Sequence, residues 1–176
     1  MKNKNRGICC FLADTFIRMA DGSEKRITDV KIGDLICTMD GDVQEVGCDT
    51  ELTVDSYYIV ETENRHEIKI TGNHPMLTED GWKKVEVLLV GDKVVYISKG
   101  SNEIIFEKVK LIQMKEKKTT VYNLICEEKP LIVNGFVCSD FHMQYKMELI
   151  AQLNDSKNLW NVTIEKLNLW NFVDKT

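Results

Sequence analysis

The stretch CFLADTFIRMADG, residues 10–22, begins with a cysteine beside an apolar run and ends on an Asp-Gly turn pair. A single cysteine in such a position is most often a small apolar core residue. A second stretch, TGNHPMLTEDGW at residues 71–82, changes that interpretation because it contributes a threonine and a histidine. A thiol, an imidazole and a hydroxyl together form a set suited to acyl transfer. The fold and the chemistry expected of the chain both follow from these two stretches.

Short β-prone runs fill the chain up to about residue 138. They are rich in Val, Ile, Thr and Tyr, and several end at Gly, Asp or Asn, which are turn residues. Many short strands separated by turn signals predict a mostly β fold. The runs are residues 34–39, 57–60, 67–71, 93–97, 104–114, 119–126 and 130–137.

An internal repeat is visible within this β-rich part. Residues 21–34 read DGSEKRITDVKIGD, and residues 80–92 read DGWKKVEVLLVGD. Both copies open on Asp-Gly, continue with two basic residues and a β-branched residue, and close on Gly-Asp. Two copies of a β-subdomain explain the match, whereas the alternative is coincidence, since Asp-Gly and Gly-Asp are common turn pairs.

Size and charge restrict the function classes. A chain of 176 residues with 43% apolar residues has room for one ordinary domain plus an appendage. A net charge of -5 argues against nucleic acid as a partner, because phosphate binding needs a basic face. No apolar run approaches the roughly 18 residues of a membrane span, and no apolar segment of a secretory signal follows the basic start. We therefore expect a cytoplasmic location.

The six cysteines contain no C-x-x-C pair, so we expect no metal site, and nothing in the sequence indicates a cofactor. An even number would permit three disulfides. Reduced thiols are favoured because no secretory signal is visible. The cysteines are Cys9, Cys10, Cys37, Cys48, Cys126 and Cys138.

The character of the chain changes near residue 140. Residues 141–176 contain neither Gly nor Pro, and Met143, Met147, Ile150 and Leu153 fall near one helical face. A second helix is predicted over residues 159–172. The predicted organisation is a flank at residues 1–9, a β-domain at residues 10–140 and a helical appendage at residues 141–176.

The pattern C-F-x-x-D-T-x-I-x-x-x-D-G at residues 10–22 resembles the N-terminal block of Hint domains, the family shared by inteins and the hedgehog C-terminal domain. The pattern T-x-x-H-P-x-x-T-x-x-G-W at residues 71–82 resembles their second block. VYNL at residues 121–124 and VNG at residues 133–135 resemble later blocks, in the same order. The resemblance implies a pseudo-twofold β-fold that processes its own chain in a single turnover.

The resemblance also implies roles for individual residues. Cys10 would attack the carbonyl carbon of Cys9 in an N-to-S acyl shift that converts the peptide bond to a thioester. His74 would protonate the leaving amine, and Thr71 would polarise or strain the scissile bond. Water, a thiol or an alcohol would then take the N-terminal flank. Cys10 rather than Cys9 matches the family nucleophile because Phe11 follows it directly.

The C-terminal end departs from inteins, which finish in His-Asn. Ser139-Asp140 stands there instead, and Phe141 cannot accept an acyl group. Asp140 would be a weaker cyclising nucleophile than Asn, so the resemblance favours cleavage over splicing. Cys138, near the same junction, is a candidate to accept the acyl group from Cys10 or to form a disulfide with it.

Residues 133–141 resemble the hedgehog-type end, and YYIVET at residues 57–62 resembles a hedgehog strand that precedes T-x-x-H. Near the start of that strand, hedgehog domains hold an aspartate that activates the hydroxyl of a sterol. Asp49 is the best match to that aspartate, and Asp55 is the second choice. The helical segment would then present the adduct, or alternatively pack on the β-domain or a partner. Two further readings stay open: a degenerate Hint fold acting as a structural or binding module, and a conventional thiol hydrolase.

Overall fold

The computed structural model describes residues 10–39, 43–46, 48–126, 129–140 and 143, and at residues 43–45 and 48–50 it describes the backbone alone. The flank at residues 1–9 and the predicted helical appendage, Met143 apart, lie outside the described residues. The mostly β fold predicted from the sequence is confirmed. Thirteen strands are present in the described part, with short 3-10 helices at Ile27–Asp29 and Val85–Val87.

The strands follow the chain in this order: β1 Phe11–Leu12, β2 Phe16–Arg18, β3 Glu24–Arg26, β4 Leu35–Cys37, β5 Val43–Glu45, β6 Cys48–Thr62, β7 Glu67–Ile70, β8 Pro75–Thr78, β9 Gly81–Lys84, β10 Lys93–Ile97, β11 Ile104–Ile125, β12 Leu131–Val133 and β13 Phe136–Cys138.

One antiparallel pair organises the sheet. Strands β6 and β11 run together from the pair Val109 and Thr62 to the pair Ile125 and Cys48. The remaining strands extend the sheet on either side in the order β1-β7-β6-β11-β10-β8-β13-β12-β2-β3, with β9 on β8. Strand β1 pairs with both β7 and β11, which closes one end. This closure brings the start of the β-domain beside the end of β7.

The core lies in three clusters of buried apolar side chains. The largest includes Phe11, Ile70, Met76, Leu131 and Cys138. Burying one such Ile, Leu or Phe side chain contributes about 1.5–3 kcal/mol. The second cluster contains Leu77, Trp82, Val95, Ile97, Ile132, Val137 and Met143. The third contains Cys10, Val54 and Val121.

The two copies of the sequence repeat share two contacts of their closing aspartate. In each copy the closing aspartate follows a glycine at positive φ, 91° at Gly33 and 97° at Gly91. Each aspartate accepts from the backbone N–H three residues earlier and lies against the lysine nine residues earlier. Asp34 is paired in this way with Lys31 and Lys25, and Asp92 with Leu89 and Lys83.

The repeat also relates Thr15 to His74. The backbone N–H of each donates to the carbonyl three residues earlier, and the carbonyl of each accepts from the first residue of the following 3-10 helix. The two halves therefore share a backbone frame. At the equivalent position of this frame, the first half has Thr15 and the second half has His74.

Candidate active site

Two backbone strands bring Cys10 and Thr71 together. Phe11 of β1 is in register with Ile70 of β7, so the residue before β1 faces the residue after β7. The N–H of Thr71 donates to the carbonyl of Cys10 at 3.0 Å. In return, the N–H of Cys10 donates to Oγ1 of Thr71 at 2.9 Å. The amide nitrogen of Cys10 is therefore fixed in position by a buried side chain.

A tight turn carries the chain from Thr71 to His74. The N–H of His74 donates to the carbonyl of Thr71 at 3.1 Å. Gly72 lets the ring of Tyr58 pack closely against this turn, because a Cβ at this position would lie only 2.6 Å from the ring. Pro75 then starts β8 and directs the chain into the sheet. The spacing of T-x-x-H is thus the spacing of one turn.

The ring of His74 is completely buried. Its centroid lies 4.3 Å from that of Phe11, and its Nε2 lies 2.9 Å from the carbonyl oxygen of Ser139. Since a carbonyl oxygen only accepts, Nε2 carries the proton of the neutral ring. Nδ1 is buried and forms no hydrogen bond of ordinary geometry with the described residues, although the ring also contacts the backbone of Cys10. A lone pair is therefore available on the second nitrogen.

Burial keeps both reactive groups neutral. It lowers the pKa of His74 to about 4, although contacts with the backbone of Ser139 and of Cys10 act in the opposite direction. It raises the pKa of the Cys10 thiol to about 12, so the thiol keeps its proton at pH 7. The resting site therefore holds a thiol and a neutral imidazole, and it does not hold a preformed thiolate-imidazolium pair.

Apolar side chains surround the thiol. Cys10 packs against Val54 of β6 and Val121 of β11, with Leu12 at the edge of the same cluster. A water-poor environment strengthens every electrostatic interaction inside it. It also makes an unpaired charge costly, which favours a reaction in which protons move between neighbouring groups.

The end of β13 forms the far side of the site. Cys138 is in register with Met76 of β8, and the N–H of the next residue, Ser139, donates to the carbonyl of Pro75 at 3.2 Å. Strand β8 therefore brings the carbonyl of Ser139 to the ring of His74. The site consequently combines residues from both ends of the β-domain.

The sequence of the whole β-domain matches a family model described as the Hint module, over residues 3–153. The chain belongs to the Hint family. Over 145 residues it is 29% identical to Warthog protein 6 of Caenorhabditis elegans, covering 76% of this chain and 24% of that protein. It is also 29% identical over 175 residues to the DNA-directed RNA polymerase III subunit rpc2 of Dictyostelium discoideum, covering 92% of this chain and 10% of that protein. The chain thus spans a quarter or less of the curated relatives it matches.

Solved structures agree with the fold. The crystal structure of a DnaB intein from Synechocystis sp. PCC 6803 superposes with a TM-score of 0.68 and 21% sequence identity, covering 76% of this chain and 99% of the intein. The intein-type fold predicted from the sequence is therefore confirmed.

Asp140 of the Hint domain is buried beside the site. Its Oδ2 accepts from the N–H of Cys126 at 2.9 Å, and its Oδ1 accepts from the N–H of Met143 at 2.7 Å. Both carboxylate oxygens thus bind main-chain donors. A role for Asp140 as a cyclising nucleophile stays a prediction.

Cys138 is also buried, but in the largest core cluster, whereas Cys10 belongs to the small cluster. Both thiols are free in this structure, and burial raises the pKa of Cys138 well above its ordinary value. Transfer of an acyl group from Cys10 to Cys138 stays a prediction, as does a disulfide between them.

Asp49 lies on β6, where its backbone is in register with Leu124, and its side chain lies outside the described residues. Asp55, the second choice, is exposed on the same strand. Three positions along β6 from Asp49, Leu52 is in register with Val121, which packs on Cys10. A catalytic role for Asp49 stays a prediction.

Within the described ranges, no group of three or more His, Cys, Asp or Glu side chains has the arrangement of a metal site. Among those same residues, no helix is long and apolar enough to cross a membrane.

Sequence reasoning missed the carbonyl of Ser139, which accepts from the ring of His74. The family patterns mark side chains, whereas this acceptor is a backbone group that any residue supplies. The sole available signal was the place of Ser139 at the C-terminal junction. Its identity as a partner of His74 follows from the pairing of β13 with β8.

Proposed function

We propose that this Hint domain cleaves the peptide bond between Cys9 and Cys10 through an N-to-S acyl shift. Membership of the family supports a self-processing role in general. The observation that carries the specific chemistry is the hydrogen bond from the Cys10 amide to Thr71, next to a neutral, buried His74.

The first step forms a carbon–sulfur bond. The sulfur of Cys10 attacks the carbonyl carbon of Cys9, and its proton passes to the lone pair on Nδ1 of His74. The starting protonation states permit this transfer, because the thiol still holds its proton and the imidazole is neutral. The order of the two pKa values opposes the transfer on its own, so the proton moves as the carbon–sulfur bond forms. The product is a tetrahedral oxyanion beside an imidazolium.

The second step breaks the carbon–nitrogen bond. The nitrogen of Cys10 leaves as an amine and takes the proton from Nδ1 of His74, which returns to the neutral form. As positive charge develops on this nitrogen, its hydrogen bond to Oγ1 of Thr71 strengthens, because hydrogen bonds from charged donors are stronger. Thr71 therefore stabilises the transition state more than the starting amide, which is the condition for catalysis.

The resulting thioester links the N-terminal flank to the sulfur of Cys10. A second nucleophile attacks its carbonyl carbon, and the Cys10 sulfur leaves and regains a proton. Water would give hydrolysis, a thiol would give exchange, and an alcohol would give an ester. The natural partner in this proposal is the polypeptide before Cys10 together with one such small nucleophile.

A fusion protein tests the proposal. A soluble domain is joined before residue 1, and its release is followed by intact mass with and without dithiothreitol. Release that depends on the thiol, and is lost in Cys10→Ala and His74→Ala, supports the acyl shift. A fusion that stays intact in every condition would overturn it and favour a Hint fold kept as a structural or binding module.

Protein splicing is a second candidate because of one comparison. Nearly the whole chain matches a segment that makes up 10% of an RNA polymerase subunit, as an element inserted in a larger protein would. Asp140 argues against it, since its two carboxylate oxygens accept from backbone N–H groups. A chain flanked by folded domains on both sides distinguishes the two outcomes: ligated flanks indicate splicing, and release of the N-terminal domain alone indicates cleavage.

A further inference from the structure

We infer that Asp140 is a positioning residue for His74, acting through the peptide group that joins Ser139 to Asp140. The inference deepens the proposed function and rests on it for the role of His74 as proton carrier. The geometry itself can be tested whether or not the chain cleaves.

The carboxylate of Asp140 ties together three parts of the chain. It accepts from the N–H of Cys126, directly after β11, and from the N–H of Met143, while its own backbone continues from β13. The side chain is completely buried. Hydrogen bonds to a charged acceptor are the stronger kind, and removing a buried partner leaves its donors unsatisfied. Asp140 therefore determines the path of the backbone at this point.

The carbonyl that contacts His74 belongs to the same peptide group as the nitrogen of Asp140. A peptide group is planar and rigid, so fixing the Cα of Asp140 also restricts the direction of the Ser139 carbonyl. The N–H of Ser139 holds the other side of this residue through its bond to Pro75. The carbonyl is thus held from both directions at 2.9 Å from Nε2 of His74.

The consequence for His74 concerns the position of its proton. With Nε2 donating to the Ser139 carbonyl, the lone pair of the neutral ring stays on Nδ1, where the proposed mechanism needs it. The hydrogen bond also fixes the ring plane, which packs against Phe11. Loss of the carboxylate of Asp140 frees the carbonyl to turn, and Nε2 of the ring then loses its hydrogen bond to that carbonyl.

Nitrogen and proton NMR of His74 tests the inference directly. The full chain carries Cys10→Ala, so that residues 1–9 stay attached. At pH 7 we expect a protonated Nε2 with an exchange-protected proton signal, and an unprotonated Nδ1. A proton on Nδ1 instead of Nε2 would overturn the inference without any further variant.

Three further variants, measured in the same Cys10→Ala chain, separate the carboxylate from its surroundings. Asp140→Ala removes both acceptors, so we expect the protected Nε2 proton signal to disappear. Asp140→Asn keeps one acceptor oxygen and turns an NH₂ toward the other donor, so we expect a weakened signal and a fold that survives. Ser139→Ala is the matched control, because it removes the Ser139 hydroxyl and keeps the carbonyl, so the signal should be unchanged.

The same substitutions at residues 139 and 140, placed in the fusion protein with Cys10 intact, give the kinetic readout. Displacing a catalytic group by about 1 Å can slow a reaction by roughly a hundredfold, so we expect cleavage to slow by at least tenfold in Asp140→Ala and less in Asp140→Asn. Folded Asp140 variants that keep both the Nε2 signal and the rate would overturn the inference. An uncut unsubstituted fusion would count against the proposed function alone, because the NMR result stands independently.

Discussion

The amide nitrogen of Cys10 and Oγ1 of Thr71 form a 2.9 Å hydrogen bond in which the donor belongs to the bond proposed to break. The same two residues are joined a second time, by the N–H of Thr71 and the carbonyl of Cys10. A single threonine therefore supports both the sheet and the reacting nitrogen. We therefore expect both the stability and the reactivity of the domain to fall when its hydroxyl is removed.

Thr71→Val removes the hydroxyl and keeps the branched shape. It leaves the buried N–H of Cys10 without an acceptor, so we expect the free energy of unfolding to fall by about 1–3 kcal/mol and thiol-dependent release to slow strongly. Urea unfolding and intact mass of the fusion measure the two effects. Thr71→Ser is the matched control and should preserve most of both. Equal release from the Val and Ser variants would contradict the role of the hydroxyl.

The stability of the domain should depend on pH through His74. Its pKa is about 4 in the folded protein against an ordinary value of 6.5, so between these values the unfolded chain binds a proton that the folded chain does not. The free energy of unfolding therefore falls as the pH drops from 6.5 to 4, by about 3 kcal/mol from this group, and levels off below that range. Urea titrations of the wild type and of His74→Gln measure the difference. Parallel curves for the two proteins would contradict it.

Cys10 and Cys138 should resist alkylation in the native protein. Both side chains are buried, and burial raises the pKa of each thiol, whereas alkylation needs an accessible thiolate. We expect iodoacetamide to modify both only after denaturation, as read by mass spectrometry of peptides from a Cys9→Ser chain. The half-buried Cys37 serves as an internal reference. Rapid native modification of Cys10 would mean that its pocket is open.

A pair of glycine substitutions tests the close packing of the ring of Tyr96 against Gly135, the residue before β13. Gly135 and Gly91 both have positive φ, 86° and 97°, but a Cβ at Gly135 would lie 2.2 Å from the ring of Tyr96, whereas Gly91 faces open space. Gly91→Ala should cost about 1–2 kcal/mol for the backbone alone. Gly135→Ala should cost about 1–3 kcal/mol more, because the ring has to move. Thermal unfolding of both variants measures the two losses of stability. Equal losses would contradict the prediction of a clash with Tyr96.

The strands were predictable where residue type and pairing agree. The runs at residues 104–114 and 119–126 were predicted separately, because the charged residues 115–118 do not favour a strand. The structure joins them in one strand, Ile104–Ile125, with an irregularity between Glu116 and Thr119. Pairing with β6 extends through Lys115 and Glu116 and resumes at Thr119, so the strand continues across the charged stretch. Tertiary contacts thus override local preference.

The side chains of the site were predictable because the Hint patterns contain them, and the T-x-x-H spacing corresponds to a real turn. Contacts between residues that are distant in the sequence were not predictable. His66 lies 2.9 Å from the buried carboxylate of Glu107 and stacks on Tyr96, yet Glu107 is 41 residues away in the sequence. Likewise, the partner of His74 is a carbonyl 65 residues away. Neither residue type nor sequence spacing predicts a contact between residues so far apart in the chain.

The late position of Ser139 in the chain has a consequence for synthesis on the ribosome. At about 5–20 residues per second, roughly 6–26 s separate the translation of Cys10 from that of Ser139. Throughout this interval the nascent chain carries its thiol without β12 and β13, which lie between β8 and β2 in the finished sheet. The order of translation therefore delays the complete site, since the acceptor for His74 is synthesised after Cys10, Thr71 and His74 itself.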